Sequence, residues 1–335
     1  MDQVRIGVLG AGAMGTMHAA HLAAAVDGVR LAAVAADHMA APVAEMAARA
    51  RARLVSVDAL FDPSEVDAVV IATPTDTHHE YVTRAVMAGL SVFCEKPLVR
   101  TEGEAVRLSG LAESRDVKVA VGHVVRYYPE YAAARELVRR GELGPGLVAR
   151  LARRNRCPAE TTAWYGDFER SGGVLLDMAI HDIDWCLWTF GPADRVYAVG
   201  SAAGGGGHGA QVVSVMIRHE GGALSCVDAS WRDESFSTRL EISGVGGVYS
   251  VGGSGDAGFQ SVAKQTAGSY LPTGADAPSG EDPYARQLDD AIKWFRGGPP
   301  PRATIRDAAE AVRAVAAAQR SIETGQPVYL SGVHA

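Results

Sequence analysis

A glycine-rich turn near the N-terminus separates an apolar segment, residues 4–9, from an alanine-rich segment, residues 14–25. The turn has the pattern Gly10-x-Gly12-x-x-Gly15. A strand, such a turn and a helix form the first half of a βαβ unit, because only glycine lets the chain turn this tightly and lets the helix pack closely on the strand. The pattern therefore predicts that the chain begins with a parallel sheet flanked by helices.

Helix-like and strand-like segments continue to alternate up to about residue 122. Further strands are predicted at 29–36, 66–72, 90–94 and 118–121, and helices at 40–50, 77–88 and 101–114. This alternation is typical of right-handed βαβ units, in which every loop after a strand lies at one edge of the sheet. We therefore predict an α/β fold with a doubly wound parallel sheet whose carboxyl edge binds a ligand.

The pattern changes after residue 122. Strands are predicted at 147–153, 196–199, 212–218, 224–231, 239–243, 248–251 and 327–330, and helices at 129–140, 173–190, 283–295 and 304–324. Serial strands indicate a mostly antiparallel sheet, and its outer face is a candidate subunit interface. Because 335 residues are long for one core, we predict two domains, residues 1–122 and 123–335. Residues 252–282, rich in Gly, Ser and Ala, are predicted to be mobile.

The composition argues against several classes of partner. The formal net charge is −7 and no block of Lys or Arg stands out, so we expect neither nucleic acid nor an anionic membrane as a partner. The sequence shows no signal-peptide pattern and no apolar run of about 18 residues. The four cysteines are widely separated, which is typical of a reducing compartment, and we expect a cytoplasmic protein.

The glycine turn also predicts a dinucleotide site. Gly12 lets the backbone approach a pyrophosphate, while Gly10 and Gly15 shape the turn and its helix contact. At the helix N-terminus, the backbone N–H groups of Ala13 and Met14 would face the phosphates. The alternative interpretation is a glycine turn without a ligand.

Asp37 follows the second strand, about 20 residues after the turn, at the usual place for a ribose-binding acid. Its carboxylate would accept both ribose hydroxyls of NAD and repel the 2′-phosphate of NADP, and the next residues, His38 and Met39, supply no arginine for that phosphate. The sequence therefore favours NAD over NADP. Asp37 is alternatively an N-cap, and both roles are compatible.

The loop after the third long strand contains Thr73, Pro74 and His78, which we expect to border the nicotinamide ribose. A helix cap at Thr77 and a surface histidine are the alternatives.

Glu95-Lys96-Pro97 follows the strand at 90–94. Pro97 biases Lys96 away from helical geometry and is compatible with a cis bond. We expect Glu95 and Lys96 at the cofactor, where the ammonium would orient a substrate hydroxyl and stabilise a developing alkoxide. The alternative is a surface lysine paired with Glu95.

Asp177 and His181 lie four residues apart in the helix predicted at 173–190, so they share one face. The imidazole suits proton removal from a hydroxyl near neutral pH, and the carboxylate would orient it. The alternative is a helix with ordinary polar residues. A metal site built from His181, Asp182 and Asp184 is disfavoured because these side chains point in different directions on a helix, and we expect no metal.

These motifs, together with Gly122-His123-Val124-Val125-Arg126 and residues 172–182, resemble the glucose–fructose oxidoreductase/inositol dehydrogenase/MocA-type family, most closely its inositol and sugar dehydrogenases. The resemblance spans about residues 3–330. It implies an N-terminal Rossmann domain and a C-terminal α/β domain with a large open sheet through which a homodimer or homotetramer forms. Matched by position, Lys96, Asp177 and His181 correspond to the family's catalytic residues, and Asp37 to its ribose-binding acid.

We further expect Arg126, Arg154 and Trp164 to contact substrate, although core packing is an equal alternative for Trp164. Tyr127-Tyr128 and the segment from Arg156 to Gly166 depart from the inositol dehydrogenases, which argues against inositol itself. The expected activity is NAD-dependent hydride transfer at a cyclic polyol, sugar or sugar derivative. The alternatives are redox-assisted glycoside cleavage with retained NAD, a keto-sugar reductase using NADPH, and a non-catalytic cofactor-binding subunit.

Overall fold

The structure is a computed structural model that describes residues 3–24, 28–37, 41–160, 162–201, 209–254, 259–266, 269–272 and 282–330. The chain divides into two compact units, Met1–Val124 with Glu281–Ala309, and Val125–Gly280 with Glu310–Ala335. From the sequence we place residues 281–309 in the second domain, whereas the structure assigns them to the first unit.

A six-stranded parallel sheet forms the centre of the first unit. Its strands are β1 (Val4–Leu9), β2 (Val29–Ala35), β3 (Arg53–Leu54), β4 (Ala68–Ile71), β5 (Ser91–Cys94) and β6 (Val119–Val121), in the order β3-β2-β1-β4-β5-β6. The helices that alternate with them are α1 (Ala13–Ala24), α2 (Ala41–Arg49), α3 (Val57–Leu60), α4 (His78–Met87) and α5 (Glu102–Ser114). This confirms the doubly wound sheet. The strand order reverses between β1 and β4, the position where such sheets bind ligands.

Burial explains why this unit can be recognised from sequence. The four residues of β4 and the last three of β5 are fully buried, because helices cover both faces of a parallel sheet. Such strands appear as uninterrupted apolar runs. The short elements β3 and α3 have no comparable apolar signal, since both residues of β3 are exposed, and the sequence does not predict them.

A nine-stranded sheet dominates the second unit. The first elements are α6 (Pro129–Arg139), β7 (Val148–Arg156), α7 (Phe168–Ser171), α8 (Ile180–Phe190), β8 (Ala193–Ser201), β9 (Val212–His219), β10 (Leu224–Ser230), β11 (Arg232–Gly244), β12 (Gly247–Ser254), β13 (Phe259–Thr266) and β14 (Ser269–Pro272). All neighbouring strands pair antiparallel except β7 and β10, which are parallel. Alternate residues of β9 are buried, so one face of the sheet is covered and the other is exposed. The predicted mostly antiparallel sheet is confirmed.

Two strands, β13 and β14, lie in the segment that we predict to be mobile from its composition. The structure gives them antiparallel pairing with β12 and with each other. Residues 255–258, 267–268 and 273–281 of that segment are outside the described residues.

Two helices and a strand complete the fold: α9 (Pro283–Phe295), α10 (Ile305–Thr324) and β15 (Val328–Tyr329), which pairs with β8. The apolar face of α9 explains why this helix groups with the first unit. Leu288, Ala291 and Ile292 belong to the same buried cluster as Phe93 of β5. None of the described helices is both long and apolar enough to cross a membrane.

Candidate active site

The glycine turn after β1 has no room for a side chain at Gly10 or Gly15, but it has room at Gly12. Gly10 has a φ of +108°, and a Cβ on Gly15 would overlap the carbonyl oxygen of Gly10, so a side chain fits at neither position. A Cβ on Gly12 would instead meet no atom within 4 Å. Gly12 and Ala13 are exposed and α1 starts at Ala13, which leaves the amides of Ala13 and Met14 in the first helical turn. The open position fits a pyrophosphate at the helix N-terminus.

Asp37 is exposed and follows β2 at the same edge of the sheet as the glycine turn. The strand order places β2 next to β1, so both loops follow neighbouring parallel strands. This position is compatible with the predicted ribose contact. His38 and Met39 lie outside the described residues.

Glu95 faces the interior and holds the end of β5. Only 6% of the residue is exposed; Oε1 lies 2.7 Å from Nε2 of His18, and Oε2 accepts a hydrogen bond from the backbone N–H of Lys96 at 3.2 Å. A Cβ on Gly122 would lie 3.0 Å from Oε2, which explains the glycine of the Gly122-His123 motif. The carboxylate of Glu95 thus binds protein groups, and its expected cofactor contact stays a prediction.

Lys96 stands out from its neighbours by its exposure. Between residues 92 and 99, all of which the structure describes, every other residue is buried, and Lys96 is partly exposed. The Lys96–Pro97 peptide bond is cis, as its sequence allows. Cys94, within this segment, is fully buried, and burial raises the pKa of its thiol well above the usual value, as for a small core residue.

His78, the first residue of α4, is also buried, with 1% of the residue exposed. Its Nδ1 lies 2.7 Å from the carbonyl oxygen of Pro97, and its Nε2 lies 2.9 Å from the carbonyl oxygen of Thr73. The imidazole therefore joins the loops that follow β4 and β5. Both ring nitrogens of His78 face backbone oxygens, and its expected cofactor contact stays a prediction. Thr73 and Pro74 remain partly exposed in the first loop.

Asp177 and His181 lie in the second unit, where the predicted helix is not continuous. Residues Leu175–Ala179 form a π-helical turn, in which the N–H of Ile180 bonds to the carbonyl of Leu175, and α8 begins at Ile180. Within residues 171–186, all of them described, only Asp177 and His181 are not buried. The two side chains therefore reach the same open face of a buried segment. Such π turns are frequent at functional sites.

Two buried ion pairs fix the first turns of α8. Nε and Nη2 of Arg153 donate to Asp182 at 2.9 and 2.8 Å, and the same atoms of Arg126 donate to Asp184 at 2.8 and 2.7 Å. The side chains are between 0% and 8% exposed. The guanidinium of Arg126 is buried against a carboxylate, and its expected contact with substrate stays a prediction. Among the described residues, no group of three His, Cys, Asp or Glu side chains could hold a metal ion.

The remaining predicted substrate contacts lie on or near the sheet of the second unit. Arg154 of β7 is exposed. Trp164 is partly exposed and stacks on Tyr165, with ring centroids 3.9 Å apart, and Tyr165 meets the edge of Trp231 at 6.5 Å. The hydroxyl of Ser171 donates to the carbonyl of Tyr165, which ties this aromatic cluster to the segment that precedes Asp177.

Several positioning residues cannot be recognised from the sequence alone. His18 lies three residues after Gly15, on the buried side of α1, and its pairing with Glu95 joins positions 77 residues apart. Asp182 and Asp184 follow His181 in the sequence and look like additional site residues. Their pairing with arginines from other elements becomes visible only in the folded chain.

Comparisons with known proteins cover both units. Residues 4–123 match the family model "Oxidoreductase family, NAD-binding Rossmann fold", and residues 131–250 match "GFO/IDH/MocA C-terminal domain". Inositol 2-dehydrogenase from Rhizobium meliloti is 32% identical over 254 residues, 73% of this chain and 74% of that protein. UDP-N-acetylglucosamine 3-dehydrogenase from Acidithiobacillus ferrooxidans is 36% identical over 206 residues, 61% of this chain and 60% of that protein.

Among solved structures, GenD2 from gentamicin A biosynthesis, in complex with NAD, superimposes with a TM-score of 0.83 at 27% identity, covering 99% of this chain and 97% of that one. The two relatives from the sequence comparison are named as dehydrogenases. The two family models span the glycine turn and the segment with Asp177 and His181. The chain therefore belongs to the Gfo/Idh/MocA family and is an NAD-binding oxidoreductase.

Proposed function

We propose that this protein is an NAD-dependent dehydrogenase that transfers hydride between the nicotinamide and a secondary alcohol or ketone carbon of a cyclic polyol, sugar or sugar derivative. The observation that supports this most is the exposure pattern of the second unit, in which Asp177 and His181 are the only residues between 171 and 186 that are not buried. A carboxylate and an imidazole on one open face are the groups needed to remove a hydroxyl proton.

NAD, when bound, supplies the hydride acceptor, and Gly12, Ala13, Met14 and Asp37 are the residues that would hold it. His181 takes the hydroxyl proton on its imidazole, which lies with Asp177 on the open face of this segment. Asp177 orients the imidazole and stabilises its charged form. Lys96 donates a hydrogen bond to the substrate oxygen as negative charge develops on it. In the reverse direction, the imidazolium returns the proton to the oxygen of the ketone.

The family relationship supports a polyol or sugar as the substrate, and the site residues support hydride transfer. The relatives are named for inositol and for UDP-N-acetylglucosamine, both ring compounds with several secondary hydroxyl groups. The stacked pair Trp164 and Tyr165 offers a flat apolar surface that suits the C–H face of such a ring. We therefore propose Trp164 and the exposed Arg154 as substrate contacts.

The test is the formation of NADH from NAD with a panel of inositols, aldoses, amino sugars and nucleotide-linked sugars. We expect turnover with at least one of them, and a loss of about 10²–10⁴-fold in kcat for His181→Ala, the usual effect of removing a general base. His79→Gln, a change at a partly exposed histidine outside the site, is the control. Undiminished turnover in both His181→Ala and Lys96→Ala would refute the proposed roles. Tight NAD binding without net NADH would favour redox-assisted cleavage, and activity only with a keto sugar and reduced cofactor would favour a reductase.

We also propose that the open face of the nine-stranded sheet forms a homodimer or homotetramer. On neighbouring strands, Tyr197 of β8 pairs with Met216 of β9, and Met216 pairs with Cys226 of β10. Tyr197 and Met216 are 40% and 51% exposed, and Val199, on the same face, is 51% exposed. Apolar side chains grouped in this way on a monomer surface mark an interaction site. Met216→Glu should lower the molar mass measured by light scattering after gel filtration, and an unchanged mass would locate the interface elsewhere.

A further inference from the structure

The loop that presents Lys96 is held from behind by a buried histidine. His78 of α4 contacts the carbonyl oxygen of Pro97, the residue directly after Lys96, at 2.7 Å through Nδ1. Its other ring nitrogen, Nε2, contacts the carbonyl oxygen of Thr73 at 2.9 Å. The ring thereby connects the loops after β4 and β5, the two neighbouring strands that lead to the predicted cofactor and lysine positions.

The protonation state of the ring decides which of these contacts is a hydrogen bond. A neutral imidazole donates through one nitrogen, whereas an imidazolium donates through both. Burial is the main cause that lowers the pKa of His78, and the charge of Lys96 lowers it further, while the two carbonyl contacts and the charge of Glu95 act in the opposite direction. Both partners of the ring are carbonyl oxygens, which only accept, so the 2.7 Å contact of Nδ1 is a hydrogen bond when that nitrogen carries the proton.

Buried groups hold the backbone on both sides of Lys96. Glu95 fixes the backbone N–H of Lys96 at 3.2 Å and is itself held by His18. On the other side of the lysine, the carbonyl of Pro97 receives the contact from His78. Thr77 reinforces the opposite loop, since its hydroxyl lies 2.7 Å from both Thr73 Oγ1 and the Pro74 carbonyl oxygen. The backbone is thus tied before and after Lys96, which fixes the origin of its side chain.

We propose that His78 is a positioning residue for Lys96, and that it acts by donating a hydrogen bond from Nδ1 to the carbonyl of Pro97. The proposal rests on the proposed function, because it requires Lys96 to assist hydride transfer. A loop that shifts by a fraction of an ångström moves the ammonium away from the substrate oxygen without closing the cofactor site.

Asn and Gln variants separate the two contacts of the ring. The amide nitrogen of Asn occupies about the place of Nδ1, and that of Gln occupies about the place of Nε2. His78→Asn therefore keeps the donor to Pro97, and His78→Gln keeps a donor to Thr73 only. We expect His78→Gln to lower kcat about tenfold, the effect of losing one ordinary hydrogen bond, with unchanged NAD affinity. His78→Asn should retain clearly more of the wild-type kcat, and His79→Gln should match the wild type.

A double-mutant cycle with Lys96→Met distinguishes positioning from a general structural role. If His78 acts through Lys96, His78→Gln costs nothing further once the lysine is absent. The same factor lost in both backgrounds, or equal losses in the Asn and Gln variants, would overturn the proposal. Unchanged turnover in Lys96→Met alone would instead refute the role of Lys96 in the proposed function.

A measurement on the unmodified protein does not depend on the variants folding. In protein labelled with ¹⁵N-histidine, the ring nitrogens of His78 report directly which of them is protonated. We expect the proton on Nδ1 at neutral pH. A neutral ring with its proton on Nε2 would overturn the proposal.

Discussion

The buried pair Arg126–Asp184 gives the sharpest test of what holds the helix with His181 in place. Asp184→Asn removes the carboxylate that receives two hydrogen bonds from the guanidinium, at 2.8 and 2.7 Å. The two side chains are 2% and 0% exposed, so water cannot replace the lost contact. Removing one member of a buried pair costs about 3–5 kcal/mol, because it leaves an uncompensated charge in the interior. For a unit of this size, that corresponds to a fall of roughly 6–20 °C in the midpoint of thermal unfolding.

A double variant separates packing from substrate recognition. Arg126→Met with Asp184→Leu removes both charges and fills the space with apolar atoms, and such replacements of buried pairs are often neutral or stabilising. We expect its unfolding midpoint to recover most of the loss, and the KM for the substrate to stay near that of the wild type. If the double variant falls as far as Asp184→Asn, the pair is not an isolated electrostatic contact. A recovered midpoint with a strongly raised KM would instead support Arg126 as a substrate contact.

Three further changes test separate features of the molecule. Gly12→Ala adds a methyl group that meets no atom within 4 Å, so the unfolding midpoint should be unchanged while the NAD affinity measured by calorimetry falls. Gly110→Ala, where a methyl group also meets no atom, is the control. Equal NAD affinities in the two variants would contradict the pyrophosphate site. Asp37→Ser removes the charge that repels a 2′-phosphate, so the ratio of NADP to NAD turnover should rise, and an unchanged ratio would exclude Asp37 from the ribose pocket. Burial lowers the pKa of His219 below its usual 6.5. Below that pH the histidine of the unfolded chain binds a proton more readily than that of the folded chain, so the stabilisation by His219 is complete above pH 6.5 and is lost as the pH falls. His219→Gln should flatten the acid-side decline of the unfolding midpoint, and an undiminished decline would contradict this account.

The parallel sheet could be predicted from the sequence because its strands are buried on both faces. The boundaries of β1 and α9 follow directly from apolar runs and from Pro283 at a helix start, and the glycine turn identifies the strand that leads to the cofactor. The sequence predicted that the second sheet is mostly antiparallel. It did not predict the parallel pairing of β7 with β10, because these strands are about 75 residues apart in the chain.

The residue types of the candidate site could be predicted from the sequence, whereas most of the contacts that these residues make could not. Lys96, Asp177 and His181 are the partly exposed residues of otherwise buried segments, as their chemistry suggests. The π turn at Leu175–Ala179 was not predictable, because the apolar pattern of residues 173–190 fits an uninterrupted helix equally well. Such a turn depends on tertiary packing that local propensity does not contain.

The sequence by itself determines the order of elements, the glycine turn with its open position at Gly12, and the residue types available for hydride transfer. These depend on local properties: burial periodicity, the conformational freedom of glycine and the chemistry of single side chains. Only the tertiary structure decides which polar groups face the ligand and which hold the fold. Glu95, His78 and Arg126 resemble site residues in the sequence, yet each is buried against a group from another element. A polar group buried in the interior must find a partner, and the position of that partner is set by the fold of the chain as a whole.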